Sequence, residues 1–200
     1  MELAGKELHV VSTGRQPLAE LARIAGLVRP YADVFHLRER TKTARELLDG
    51  IRIMTEAGVP PDRIVVNDRA DVAAAAGVLG VQLAHHSLDV STVRRLFPQL
   101  RIGKSVHSAD EAHEAEAEGA DYVIYGHIYA TASKPGLPAR GIEALIGVMD
   151  RVSIPVIAIG GVKPGNVPEL LRAGAAGVAV MSGLLEADDP VREAAAYHQY

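Results

Sequence analysis

Two stretches near the C-terminal end decide the fold: Pro155-Val-Ile-Ala-Ile-Gly-Gly-Val162 and Gly177-Val-Ala-Val-Met-Ser-Gly-Leu-Leu185. Each is a short apolar, β-branched run that stops at glycine, and a helical segment from Asn166 to Ala173, closed by Gly174, lies between them. Strand, helix and strand at this spacing make a parallel βα unit. Glycines at a strand end let backbone N–H groups approach an anion closely, and the start of a helix favours negative charge. Two such ends side by side predict a phosphate site formed by Gly160, Gly161, Ser182 and Gly183. The alternative is that both glycine pairs only shape tight turns.

The same alternation extends back through the chain. Apolar runs occur at Leu8–Ser12, Val34–Arg38, Arg63–Asn67, Gly80–Leu83, Leu100–Ser105 and Asp121–Gly126. Helical segments fall between them at Pro17–Val28, Thr43–Glu56, Ala70–Ala76, Ser91–Phe97 and Ser108–Glu118, with others at Ile142–Met149 and Asp189–Tyr197. Thr43 with Glu46 three residues on reads as a capping box. Eight strands alternating with helices predict an α/β fold, a (β/α)8 TIM barrel, as a single domain over residues 1–200, with function on the loops that follow the strands. An open doubly wound sheet is the competing architecture. The paired turns after strands seven and eight favour the barrel.

Composition narrows the function classes. The 200 residues carry a formal net charge of −4, so there is no basic excess to bind nucleic acid. The absence of cysteine excludes disulfides and thiolate metal sites. No apolar run approaches a membrane span, and Met1–Leu8 lacks the pattern of a signal peptide, so a cytoplasmic location is expected.

Candidate site residues lie at strand ends. His36, Arg38 and Arg40 share one face of strand two. A rim arginine there holds a carboxylate or phosphate, or pairs with a neighbouring acid. Asn67 and Asp68 end strand three, and Ser105 lies on strand five. His85-His86 invites a metal reading, but chain neighbours point apart and no third ligand is near, so a solvated loop is preferred. His9 reads as a core or rim histidine. Strand six delivers His127 directly after Gly126, and the following loop carries Lys134. An imidazole at that place can exchange a proton at neutral pH.

Val34-Phe-His-Leu-Arg-Glu-Arg40, Val66-Asn-Asp-Arg69, Val81-Gln-Leu83, Ile102-Gly-Lys-Ser-Val-His-Ser108, Asp121-Tyr-Val-Ile-Tyr-Gly-His127, Ile157-Ala-Ile-Gly-Gly161 and Val178-Ala-Val-Met-Ser-Gly183 occur in this order. Together they resemble the thiamine phosphate synthase/TenI superfamily over nearly the whole chain, and in particular its thiazole tautomerase branch. A synthase of that superfamily couples a pyrimidine pyrophosphate to thiazole phosphate, with Mg2+ on two carboxylates. Asp68 matches one of them; Ser87 stands in place of the other, and His127 in place of a proline.

The exchange implies thiazole tautomerase activity, an isomerase of thiamin biosynthesis that needs no metal or cofactor. His127 would be the acid/base group for a thiazole phosphate carboxylate. Gly160, Gly161, Ser182 and Gly183 would hold the phosphate, Arg38 and Lys134 the carboxylate, and Asn67 and Ser105 would line the pocket, with Arg40 at its rim. The alternatives the resemblance leaves are thiamine phosphate synthase itself and a non-catalytic thiazole-phosphate-binding regulator. Family members commonly associate, so a homo-oligomer (dimer or tetramer) is expected, with no nucleic-acid or membrane partner.

Overall fold

The computed structural model describes residues 6–199; the N-terminal residues read above for a leader lie, up to position 5, outside them. Eight parallel strands close into a barrel in sequence order: β1 Glu7–Val11, β2 Val34–Leu37, β3 Ile64–Asn67, β4 Gly80–Leu83, β5 Arg101–Val106, β6 Tyr122–Gly126, β7 Val156–Ile159 and β8 Gly177–Val180. The closing pair aligns His9 with Ala179 and Val10 with Val180. The barrel expected from the alternation is therefore the one observed, and nearly all the strands fall within a residue of the expected runs.

The helices are α1 Leu18–Val28, α2 Ala44–Glu56, α3 Ala70–Ala76, α4 Val90–Leu96, α5 Ala109–Ala117, α6 Gly141–Met149, α7 Val167–Arg172, α8 Ser182–Leu185 and α9 Pro190–His198. Their starts follow local chemistry. The Thr43 hydroxyl accepts from the Glu46 N–H at 3.3 Å while the Glu46 carboxylate accepts from the Thr43 N–H at 2.8 Å, so the capping box forms. Asp89, Ser108 and Asp189 cap α4, α5 and α9 more simply, each side chain accepting the N–H three residues on. Replacing Thr43 by alanine removes both the hydroxyl bond and the geometry that holds Glu46. The expected result is a Tm lower by roughly 2–4 °C with unchanged activity, since a lost cap in a chain of this size has an effect of that order. Differential scanning calorimetry checks it.

Strand alternation divides the core into two layers. Outward residues such as Phe35, Leu37, Val66, Leu83 and Ile102 pack under the helices. Inward residues Val11, Tyr122, Ile124, Ile157 and Ala179 fill the barrel itself. Three polar side chains are buried with them: His9, His36 and Gln82. Gly103 on β5 also points inward, and a Cβ there would collide with both the Gln82 amide and the Tyr122 ring. Its missing side chain is what lets the tyrosine cross the interior. At the N-terminal mouth the Glu7 carboxylate takes both arms of the Arg101 guanidinium at 3.0 and 3.1 Å. β1 and β5 face each other in an eight-stranded barrel, so this ion pair closes the bottom and leaves the C-terminal mouth as the open end.

Candidate active site

The C-terminal mouth holds a cavity of about 780 Å3. Its wall includes every residue given a catalytic or substrate-binding role in the sequence reading: Arg38, Arg40, Asn67, Ser105, His127, Lys134, Gly160, Gly161, Ser182 and Gly183. They arrive on the ends of β2, β3, β5, β6, β7 and β8, and only barrel closure brings them together.

Gly160 and Gly161 both take left-handed backbone, at φ 99° and 67°. A Cβ on Gly160 would strike His127, and one on Gly161 would strike the Ala130 carbonyl and Tyr129, so the turn fits against the loop after β6 only as glycine. Two cross-bonds fasten it there: Ile128 N–H donates to the Ile159 carbonyl at 2.9 Å and Tyr129 N–H to the Gly160 carbonyl at 3.0 Å. Beside it β8 runs straight into α8, whose first-turn N–H groups at Ser182 and Gly183 have no intrahelical acceptor by position. The Tyr197 hydroxyl, from α9, donates to the Val162 carbonyl at 2.9 Å and steadies the β7 turn from behind. Lys163, one residue past that turn pair and Val162, also reaches the cavity; its closeness to Gly160-Gly161 was the sequence signal for it.

Two other parts of the mouth, after β2 and after β6, are cationic. Arg38 and Arg40 follow β2, and neither forms an ion pair among the described residues, so the pairing alternative raised for them does not apply. Burial, with Arg40 adding repulsion, lowers the pKa of Arg38 from its ordinary value. Lys134, on the loop after β6, donates to His107 Nε2 at 3.2 Å. Its pKa is lowered by burial and then by Arg140, and that of His107 by burial and then by Lys134. The loop carrying Lys134 is pinned at its base, where Arg140 N–H donates to the His127 carbonyl and Gly141 N–H to that of Ile128.

His127 is buried, 5% exposed, beneath this loop. Its Nε2 lies 3.3 Å from the Leu137 carbonyl, to which an Nε2–H donates, and its Nδ1 has no partner. His85 lines the cavity, whereas His86 turns away and donates to Asp68 at 2.6 Å. The two rings meet edge to face with centroids 4.9 Å apart, so the neighbours do not point apart as expected, although no third ligand joins them among the described residues. Gln82, which sequence reasoning passed over as a strand residue, reaches the cavity floor and donates to Ser105 Oγ at 3.1 Å.

A synthase of the superfamily would hold Mg2+ at the place of Asp68, a site the sequence reading took as lost with Ser87. The Asp68 carboxylate accepts from His86 and from the Ser87 hydroxyl, and no group of three or more acidic or imidazole side chains surrounds it among the described residues. One carboxylate with a hydroxyl beside it fits an ion that takes most of its oxygens from substrate phosphates, the common mode for Mg2+. It does not fit an all-protein cage.

The model of the TMP-TENI family, described as thiamine monophosphate synthase, matches residues 8–184. The chain belongs to this family. A TMP-TENI relative from Natronomonas pharaonis, a thiamine-phosphate synthase, is 42% identical over 187 residues, 90% of this chain and 85% of the relative. Another, from Methanoculleus marisnigri and also a thiamine-phosphate synthase, is 41% identical over 195 residues, covering 92% and 90% of the two chains. The solved structure of a thiamine phosphate pyrophosphorylase from Pyrococcus furiosus superposes with a TM-score of 0.83 at 31% identity, covering 98% of this chain and 95% of that one. A 3-hexulose-6-phosphate synthase superposes at 0.72 with 22% identity, which reflects the barrel alone.

These relatives overturn the isomerase expectation. They are synthases, and a synthase of this kind is a transferase, so the thiazole tautomerase assignment is withdrawn. Its physical basis was too narrow. It rested on Ser87 and His127, whereas the cationic side chains and the glycine turns after β7 and β8 line one cavity, and Asp68 lies in a smaller pocket beside it that shares Arg38, Arg40 and Asn67; the whole set suits displacement of a phosphorylated group. Among the described residues no helix is long and apolar enough to cross a membrane.

Proposed function

We propose that the chain is a transferase that joins an aminopyrimidine carrying a pyrophosphate leaving group to a thiazole phosphate, forming thiamine phosphate. The observation that carries this reading is a single cavity that gathers Arg38, Arg40 and Lys134 with the glycine turns after β7 and β8, in a chain similar over most of its length to thiamine-phosphate synthases. Two phosphorylated substrates need two anion sites and a shared space between them.

In the reaction the thiazole nitrogen lone pair forms a bond to the pyrimidine methylene carbon. The carbon–oxygen bond breaks, and its electron pair leaves with pyrophosphate. Arg38, Arg40 and Lys134 lie where charge accumulates on the leaving group, and pre-placed cations lower the barrier because they need no reorganisation. Gly160, Gly161, Ser182 and Gly183 hold the thiazole phosphate through backbone N–H groups and a hydroxyl. Held in this way, the two reactants meet without the entropic cost of a free encounter. Asp68 would hold Mg2+, which when bound neutralises phosphate charge.

Incubation of the purified chain with aminopyrimidine pyrophosphate, thiazole phosphate and Mg2+ should release pyrophosphate and thiamine phosphate in equal amounts. Arg38→Ala should lower kcat/KM by about 100-fold, the scale of losing one electrostatic contact to developing charge. Absence of thiamine phosphate at saturating substrates would sink the proposal.

A further inference from the structure

One polar line through the barrel plays no part in the chemistry above. It begins at Glu7, whose carboxylate accepts from Arg101 and lies 2.8 Å from His9 Nε2. It continues from His9 Nδ1 to His36 Nε2, 2.8 Å apart. Both imidazoles are fully enclosed, at 0% and 2% exposure. On the cavity side His36 meets Asn67, and both His36 Nδ1 and Asn67 Oδ1 are buried without a partner. His36 and Asn67 also line the cavity, so the line runs from the closed end of the barrel to the floor of the site.

The direction of every hydrogen bond in this line follows from its first member. Arg101 already balances the Glu7 charge, so the buried imidazoles are neutral; burial also drives the pKa of each below its ordinary value. An ionised carboxylate only accepts, so His9 carries its proton on Nε2 and offers Nδ1 as an acceptor. His36 must then carry its proton on Nε2 and donate it to His9. That leaves the His36 Nδ1 lone pair facing Asn67. A lone pair requires a donor, and Asn67 has one in its Nδ2–H2 group. Turning the amide by 180° satisfies His36 and directs Oδ1 into the cavity, which accounts for the two unpartnered atoms together.

We propose that Glu7, His9 and His36 form a hydrogen-bond chain that locks Asn67 with its carbonyl oxygen toward the ligand, making the cavity floor an acceptor site for an N–H or O–H group. Glu7, His9 and His36 are positioning residues, and Asn67 is the specificity determinant. That the matching donor is the amino group of the pyrimidine rests on the function proposed above; the locked direction does not. The device discriminates because a buried acceptor left unpaired destabilises the complex with any ligand that lacks the donor.

Long-range proton–nitrogen correlation spectra of the full chain labelled with 15N-histidine test the lock without ligand or turnover. At neutral pH His9 and His36 should both appear as neutral Nε2–H tautomers. In Glu7→Gln, Arg101 claims the amide oxygen and the amide NH2 faces His9, so both rings should switch to Nδ1–H. The KM for aminopyrimidine pyrophosphate should rise about tenfold with kcat little changed, because Asn67 then turns its NH2 to the ligand. A wild-type His36 found as Nδ1–H or as imidazolium overturns the lock, whatever the variant does. Unchanged tautomers in a folded Glu7→Gln protein overturn it as well. Switched tautomers with an unchanged KM overturn the specificity role alone.

Discussion

Gly160→Ala is expected to raise the KM for thiazole phosphate by about 100-fold and to lower stability by about 3 kcal/mol, or roughly 6–12 °C in Tm for a chain of this length. Two independent costs act at this position. An alanine at φ 99° occupies backbone space that side-chain-bearing residues rarely enter. Its Cβ would also overlap His127, which cannot retreat because Ile128 and Tyr129 donate back to the carbonyls of Ile159 and Gly160. Relief comes only by opening the β7 turn, and that withdraws the backbone N–H groups from the phosphate. Gly165 on the same loop is the control: nothing lies within 4 Å of a Cβ there and its φ is ordinary, so Gly165→Ala should leave both properties unchanged. Isothermal titration with thiazole phosphate and a thermal melt on each variant decide it. If Gly160→Ala binds as the parent does, the phosphate is not held by this turn.

The barrel was legible because its signals are local. Val156–Ile159 and Gly177–Val180 are apolar runs stopped by glycine or a polar turn, and the capping of α2 by Thr43 and Glu46 spans three residues of sequence. The wall of the cavity was legible for the related reason that strand ends are where a (β/α)8 barrel exposes side chains. Properties that depend on closure were not. Arg101 meets Glu7 across 94 residues of sequence, and His36 meets His9 across 27, so nothing near either histidine marked it as part of a line. Gln82 looked like an ordinary strand residue because its role depends on Gly103 and Ser105 of the next strand. The reaction class failed for a different reason. A carboxylate exchanged for Ser87 and an imidazole at His127 are conspicuous, but chemistry follows from the whole set of groups facing the substrate, and most of that set suits pyrophosphate displacement.

Acid should destabilise the protein through the bottom of the barrel before any rim carboxylate is involved. Burial alone would raise the Glu7 pKa, but the hydrogen bonds from His9 and Arg101 and the Arg101 charge outweigh it and bring it down to about 2. A carboxyl whose folded pKa lies below its unfolded value contributes stability that is complete above the unfolded pKa and is lost as pH falls through the folded one. For Glu7 that window runs from about 4.5 down to about 2. His9 acts in the same direction at higher pH, since its pKa is lowered, chiefly by burial, and protonating it in the unfolded chain begins near the ordinary histidine value of 6.5. Both groups therefore make the protein weaken on acidification and neither favours it. Glu7 is partly solvent-facing, so screening limits its share to at most about 2 kcal/mol. In Glu7→Gln this share is absent at every pH. The variant should be less stable than the parent at pH 7 by up to that amount, and the two should converge as pH falls toward 2. Urea unfolding midpoints measured from pH 7 to pH 2 give the comparison. Parallel curves across that range would show that the Glu7–Arg101–His9 group is not held as a charged cluster. The same result would remove the ionised carboxylate from which the direction of the His9–His36–Asn67 line is derived, so the pH dependence and the tautomer of His36 stand on a single physical fact.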